Sequence, residues 1–139
     1  MQYKFINNTA IIRIDRGEKV IESLTKVANE LNIKCASVNG IGATDHFRCG
    51  IFDFKDKSYK ELNFQGCYEI LSLSGNMSIK NGEPYCHIHI TTSDEKGNCY
   101  GGHLIEADIS VTCEIFLNIT DTVLERKYDK LTTLNILDI

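Results

Sequence analysis

The clearest alternation of hydrophobic and polar positions runs through residues 104–118. Hydrophobic side chains occupy every second position of this stretch, at Ile105, Ala107, Ile109, Val111, Cys113, Ile115 and Leu117. Polar residues such as Glu106, Asp108 and Glu114 lie between them. Because successive side chains of a strand point to opposite faces, this pattern predicts a strand that buries one face.

A helical period appears nearer the N-terminus. Asp15 and Glu18 have the spacing of a capping box, which is typical of a helix start. Hydrophobic residues then follow as one stripe: Val20, Ile21, Leu24, Val27, Ala28 and Leu31. The spacing predicts one helix of about four turns that ends near Asn32 and packs its stripe on a sheet.

The other segments have the composition of strands separated by turns. Strands are predicted over residues 3–14, 34–39, 46–54, 59–65 and 68–79, and around residue 88. Turn signals stand at residues 55–58, at Asn81-Gly82 and at residues 94–98. Residues 122–139 are expected to dock as a final strand. The fold class is therefore α+β: an antiparallel meander of hairpins with one N-terminal helix, in a single compact domain of residues 1–139.

Composition and charge narrow the possible functions. The 139 residues carry a formal net charge of -4, and no run of Lys and Arg occurs. Direct DNA binding is not favoured, because proteins that neutralise many phosphates show a clustered basic surface. The N-terminus lacks the features of a signal peptide, and no apolar segment is long enough to span a membrane. We expect a cytoplasmic protein whose six cysteines, none in a CxxC pair, remain reduced.

Three of the four histidines form the candidate site. His87 and His89 are two positions apart, so on a strand their side chains project to the same side. The turn at residues 94–98 folds the next strand back and could bring His103 beside His89. Three imidazoles with an open fourth position form a ligand set that Zn²⁺ accepts. His46, on another hairpin, is interpreted as an ordinary strand-edge residue.

The facing of His103 poses a difficulty for this cluster. His103 shares the parity of the apolar face of its strand, whereas His87 and His89 have the parity opposite to Ile88. A β-bulge at Gly101-Gly102 would resolve the conflict, because one inserted residue changes the face of those that follow. Burial of both sheet faces, one of them in a subunit contact, would resolve it equally. The sequence leaves both explanations open.

Other residues near the histidines have open roles. Glu114 is either a general base or ligand-orienting carboxylate beside the metal, or a solvated residue of the polar face. Cys86 and Cys99 are the candidates for a fourth ligand that closes the site, and the parity of Cys86 makes it the poorer one. Glu106 and Asp108 are interpreted as surface charges.

Five short motifs resemble a known family. They are R-x-D-R-G-E at 13–18, N-G-I-G-A at 39–43, H-I-H at 87–89, G-G-H-L at 101–104 and V-T-C-E-I at 111–115. Together they resemble the PPC domain, which plants and prokaryotes share and which is often labelled DNA-binding. The resemblance covers nearly the whole chain. Ala107 departs from it, since a glycine is expected there.

The resemblance implies an antiparallel sheet flanked by helices and a homotrimer. It also implies that His87, His89 and His103 hold a metal ion, zinc in our prediction, near a subunit boundary. Plant members bind DNA through a preceding Arg-Gly-Arg-Pro segment, which this sequence lacks. The predicted function is a stand-alone trimeric module that binds a small ligand or partner, in a regulatory role. The alternative is a zinc-dependent enzyme that uses a three-histidine-bound water on a small-molecule substrate, and the sequence does not decide between them.

Overall fold

One large antiparallel sheet organises the structure. The computed structural model describes residues 1–139 and contains β1 (Gln2–Ile6), β2 (Thr9–Asp15), α1 (Val20–Glu30), β3 (Ala36–Asp53), β4 (Ser58–Lys80), β5 (Glu83–Ser93), β6 (Cys99–Ile119), β7 (Arg126–Tyr128) and β8 (Asn135–Leu137). Six strands pair in the order β1-β2-β6-β3-β4-β5, and β5 also pairs with β6, so the sheet closes on itself. The predicted antiparallel sheet and compact single domain are confirmed.

The helix matches its predicted apolar stripe, but it begins later than predicted. Val20, Leu24 and Val27 are fully buried in the core. The capping residue is Lys19, and no side chain caps the helix. The Glu18 carboxylate instead accepts a hydrogen bond of 2.8 Å from the Asp15 backbone N–H, which closes a turn before the helix. The resemblance implied several helices, but the chain forms only one, because no other segment carries the helical period.

Three strand predictions need correction. Residues 3–14 form a hairpin rather than one strand, because Asn7 and Asn8 both adopt left-handed backbone angles, with φ of 48° and 60°. Asparagine tolerates this conformation, which a two-residue hairpin turn requires. The strands predicted at 34–39 and 46–54 are one strand, β3, and those predicted at 59–65 and 68–79 are one strand, β4. Each of these long strands pairs with a neighbour on both sides, so each remains one strand across its register shifts.

Residues 122–139 do not add a strand to the main sheet. They form a separate two-stranded hairpin of β7 and β8, which we call the tail hairpin (residues 124–139). It is attached to β4 by a bridge between Ile79 and Glu125, and the Ile79 backbone N–H donates to the Leu124 carbonyl over 2.8 Å. Residues 89–93 of β5 already pair with β6, so this part of the β5 edge is not open to a further strand. No helix has the length and apolar character that crossing a membrane requires.

Candidate metal centre

Strand β5 presents two histidines on one side and the core on the other. Ile88 and Ile90 are buried, while His87 and His89 point away from them. On the neighbouring strand β6, His103 pairs directly with His89. The predicted hairpin across residues 94–98 therefore brings the third histidine to the first two, as the sequence suggested.

The three imidazoles form one compact cluster. Their ring centroids lie 5.3 Å apart for His87 and His103, 5.5 Å for His87 and His89, and 5.7 Å for His89 and His103. One nitrogen from each ring can be chosen so that all three lie within 4.8 Å of one another. No cysteine or carboxylate belongs to this cluster, so one side remains free of protein ligands.

A bulge resolves the facing of His103, but it is not at the predicted glycines. The pairing of β5 with β6 is regular through Gly101 and Gly102. The register shifts further along, where Arg48 pairs with Glu106 and Cys49 pairs with Leu104, so Ile105 has no partner on β3. Leu104 is buried and the buried parity changes after the bulge, which leaves His103 pointing away from the core. The bulge at Gly101-Gly102 is thus corrected to one at Ile105.

Gly101, two residues before His103, has a steric role instead. A methyl group at Gly101 would collide with the carbonyl oxygen of Ile90 and lie 3.2 Å from the Thr91 Cα. These are backbone atoms of the partner strand, so they cannot move aside as a side chain would. Gly101 therefore allows β5 and β6 to approach closely at the site where they place the histidines.

His103 is enclosed and incompletely hydrogen-bonded. The Tyr59 ring packs against it, with centroids 5.1 Å apart. The Nδ1 atom of His103 is buried without a hydrogen-bond partner. Burial lowers the pKa of His103 from 6.5 to about 4, and the charges of the neighbouring histidines and Arg126 add to this effect. Burial and then Arg126 also lower the pKa of His87, so both rings favour the neutral form that metals bind.

A cavity of about 680 Å³ adjoins the cluster. His87 and His103 form part of its wall, together with Tyr59, Tyr85 and Arg126. The tail hairpin supplies much of the remaining wall, through residues 133–137 and 139. Two of the three clustered histidines therefore adjoin a space large enough for a small molecule.

Comparison with known proteins shows the family of this chain. The model of the Plants and Prokaryotes Conserved domain (PCC, also written PPC) matches residues 1–121. The chain belongs to this family. All three clustered histidines lie within the matched part of the PCC domain, whereas the tail hairpin lies after it.

Solved structures resemble the whole PCC chain. A metal-containing protein from Archaeoglobus fulgidus is 32% identical, with a TM-score of 0.87 over 98% of this chain and 97% of that one. A PPC protein from Pyrococcus horikoshii is 30% identical, with a TM-score of 0.86 and coverage of 99% and 96%. A candidate DNA-binding protein from Bacteroides thetaiotaomicron is 31% identical, with a TM-score of 0.95 and coverage of 99% and 96%. The search of curated proteins finds no match.

Other residues singled out from the sequence lie elsewhere. Glu114 is exposed and pairs with Arg13 and Ile41 across its neighbouring strands, so within one chain it is not beside the histidines. Cys86 points to the opposite side of β5, where it contacts Thr25 of the helix, and burial raises its pKa to about 11. Cys99 is exposed and outside the cluster.

His46 is more than a strand-edge residue. Its Nδ1 atom lies 2.6 Å from the Asp108 carboxylate and its Nε2 atom lies 3.0 Å from the Asn63 side-chain oxygen. Both ring nitrogens are therefore engaged, and His46 takes no part in the three-histidine cluster. Asp108, interpreted from the sequence as a surface charge, is its hydrogen-bonding partner.

The sequence did not reveal Arg126 or Tyr59 as parts of the site. Arg126 stands in a run of mixed charge, Glu125-Arg126-Lys127, and Tyr59 follows a polar turn. Neither position carries a local motif. Only the packing of β4 and the tail hairpin around the histidines brings both residues to the cavity wall.

Proposed function

We propose that this PCC domain is a metal-dependent binding module. In this proposal His87, His89 and His103 hold a divalent ion, zinc, and the adjoining cavity holds a small ligand. The observation that carries the proposal is the convergence of three imidazoles, with no fourth protein ligand, beside a cavity of about 680 Å³.

The histidines fit a zinc ion. Zn–N bonds of about 2.0–2.1 Å in a tetrahedral site place ligand nitrogens roughly 3.3 Å apart. The present separations of up to 4.8 Å would close by small side-chain rotations. The unpartnered Nδ1 of His103 is an atom that gains from a partner. A zinc ion would supply a Lewis acid with a free coordination position.

A binding role fits the cavity better than a hydrolytic one. No Asp or Glu lines the cavity, so no acidic side chain is placed there to act as a general base. Lys57 and Arg126 are its only charged lining side chains. The second candidate function, a zinc-dependent enzyme acting on a small molecule, is favoured by the free side of the cluster, which a purely structural zinc site would close.

His89→Ala tests the metal assignment. His89 is exposed, so its removal should change the free energy of unfolding by no more than about 0.5 kcal/mol while it removes one of three ligands. Protein purified without an affinity tag should contain close to one zinc per chain by elemental analysis, and His89→Ala should contain almost none. His46→Ala, at the histidine outside the cluster, is the control and should keep its zinc. Equal metal content in all three proteins would refute the assignment.

We propose that the molecule assembles as a homotrimer. Ile41, Leu71 and Val111 are 58%, 48% and 66% exposed and line one shallow depression on the outer face of the sheet. An exposed apolar patch of this kind is typical of a protein–protein contact. Glu114 lines the same depression, so a subunit contact would bury it in part.

Direct DNA binding is not part of the proposal. The net charge is -4, and the positive side chains of the cavity face a space suited to a small molecule rather than a duplex. Binding isotherms across a salt series should show no steep slope. A strong decrease in DNA affinity with rising salt would indicate several phosphate contacts and would overturn this part of the proposal.

A further inference from the structure

Arg126 is a fixed cation whose hydrogen-bond partners are all neutral. Its Nε donates to the Ser78 hydroxyl over 2.8 Å. Its Nη1 donates to the Asn135 carbonyl over 2.7 Å, and its Nη2 donates to the Asn76 side-chain oxygen over 2.6 Å. The guanidinium carbon lies 4.7 Å from the centre of the Tyr85 ring. No carboxylate lies within ion-pairing distance of Arg126, whereas Arg13 and Arg48 each have one.

These partners leave part of the guanidinium free to bind a ligand. A guanidinium carries five N–H groups, and the three hydrogen bonds use three of them. The remaining two are held in a fixed orientation, because the bonds to β4 and the tail hairpin immobilise the plane. The two remaining N–H groups, one on each Nη atom, can donate to the oxygens of a carboxylate or phosphate.

The strand register places this cation beside the histidines. Asn76 pairs across β4 and β5 with His87, and Ser78 pairs with Tyr85. Directly opposed residues have Cβ atoms about 4.5–5.5 Å apart, so a group that bonds to Asn76 and Ser78 lies next to His87. Arg126 and His87 line the same cavity.

The rest of the cavity has an apolar wall. Phe52 and Tyr59 contribute from the hairpin of β3 and β4, while Leu134, Ile136 and Leu137 contribute from the tail hairpin. No Asp or Glu lines the cavity, so no acidic side chain there repels an anion or competes for Arg126. The tail hairpin lies after residue 121, where the family match ends. The matched part thus carries the histidines, and the segment after it carries the cation and much of the apolar wall.

We propose that Arg126 binds the anionic group of a small organic ligand, a carboxylate or a phosphate monoester, whose apolar part packs between Tyr59 and the tail hairpin. The anionic end then lies beside the histidine cluster. This inference rests on the proposed ligand-binding function and names the class of ligand. It also makes the tail hairpin the element that determines ligand specificity in this chain.

Three aromatic probes that differ in the charge of the polar group test the inference. Benzoate and phenyl phosphate carry an anionic group on an apolar ring, and benzamide is the neutral counterpart of benzoate. Calorimetric titration of the zinc-loaded protein should show benzoate or phenyl phosphate binding at least about tenfold more tightly than benzamide, since hydrogen bonds to charged groups are the strong ones. The tighter of the two anions identifies the ligand class. No preference for either anion over benzamide at millimolar concentration would overturn the inference.

Two variants separate charge recognition from a structural role of Arg126. Asn76→Asp keeps an acceptor for the Nη2 hydrogen bond and therefore keeps the tail hairpin attached. It also places a carboxylate beside the guanidinium, where it competes with an anionic ligand. It should abolish the preference for anions while thermal unfolding stays close to that of the wild type. Arg126→Lys retains the charge without the paired N–H groups and should retain only part of the preference. Arg48→Lys, at an exposed arginine paired with Glu61 outside the cavity, should behave as the wild type.

Metal content is measured on the same samples. Neither variant removes a histidine, so both should hold zinc as the wild type does. Absence of zinc from the wild type would refute the proposed metal centre. Normal zinc with an anion preference that survives Asn76→Asp would refute only the role of Arg126.

Discussion

Gly75 provides the sharpest test of how the fold positions the histidines. It lies on β4 opposite Ile88, the residue between His87 and His89. A methyl group there would collide with the His87 carbonyl oxygen and lie 2.7 Å from the Ile88 Cα and 2.9 Å from the His87 carbonyl carbon. All three are backbone atoms of β5. Gly75→Ala therefore forces β4 and β5 apart at the middle of the site.

The cost follows from these distances. Carbon atoms in contact lie about 3.5–4.0 Å apart, so the strands must separate by roughly 0.8 Å or more at Gly75. Backbone hydrogen bonds lengthened by that amount no longer meet ordinary geometry. Two or three such bonds at about 1 kcal/mol each fall within the usual cost of overpacking, about 1–3 kcal/mol. We expect the free energy of unfolding to fall by about 2–3 kcal/mol and the midpoint of thermal unfolding to fall on the order of 10 °C.

Zinc binding should weaken as well, because His87 and His89 move away from His103. Small displacements of ligand-supporting groups typically cost about 10–100-fold in metal affinity, and a competition assay with a chelator measures this. Ser74→Ala is the control, because Ser74 is the adjacent residue and is exposed; it should change unfolding by no more than about 0.5 kcal/mol. If Gly75→Ala has the same free energy of unfolding and the same zinc affinity as Ser74→Ala, the close approach of β4 and β5 is not what positions the site.

Two further predictions concern protonation and assembly. The folded-state pKa of His103, about 4, lies below its ordinary value of 6.5, so the unfolded chain takes up this proton first as the pH falls. The free energy of unfolding of the metal-free protein should therefore fall as the pH is lowered from 6.5 to about 4. Urea unfolding measures this fall, which should be smaller in His103→Phe. An equal fall in the variant would contradict the low pKa of His103. Light scattering at micromolar concentration should report three chains per particle. Val111→Asp puts a charge on the exposed apolar patch and should reduce this number to one. A wild-type monomer would refute the trimer.

Local patterns predicted much of this protein because they depend on residues close together in the chain. The helical stripe from Val20 to Leu31 and the alternation along β6 each have one period, and each fixes which face is apolar. The turns at Asn81-Gly82 and at residues 94–98 follow from backbone preferences of a few residues, with Asn81 and Gly82 both at positive φ. The pairing of His89 with His103 followed from one such turn.

Predictions failed where the outcome depended on a partner strand. The bulge was expected at Gly101-Gly102 because glycine permits one. It occurs at Ile105, because β3 pairs with β6 on either side of that residue. Val111 shares the parity of the buried face but is 66% exposed, since it lies in a register shift between Gly42 and Thr44 of β3. The residue types at positions 105 and 111 do not predict these register shifts.

The sequence by itself determined the three metal-ligating candidates, the family resemblance and the antiparallel character of the sheet, because short-range periodicity and turn chemistry encode them. The tertiary structure alone decided that Arg126 and Tyr59 join the histidines, that Glu114 does not join them within one chain, and that a cavity lies between these elements. These facts depend on how β4, β6 and the tail hairpin pack, and packing is a property of surfaces far apart in the chain.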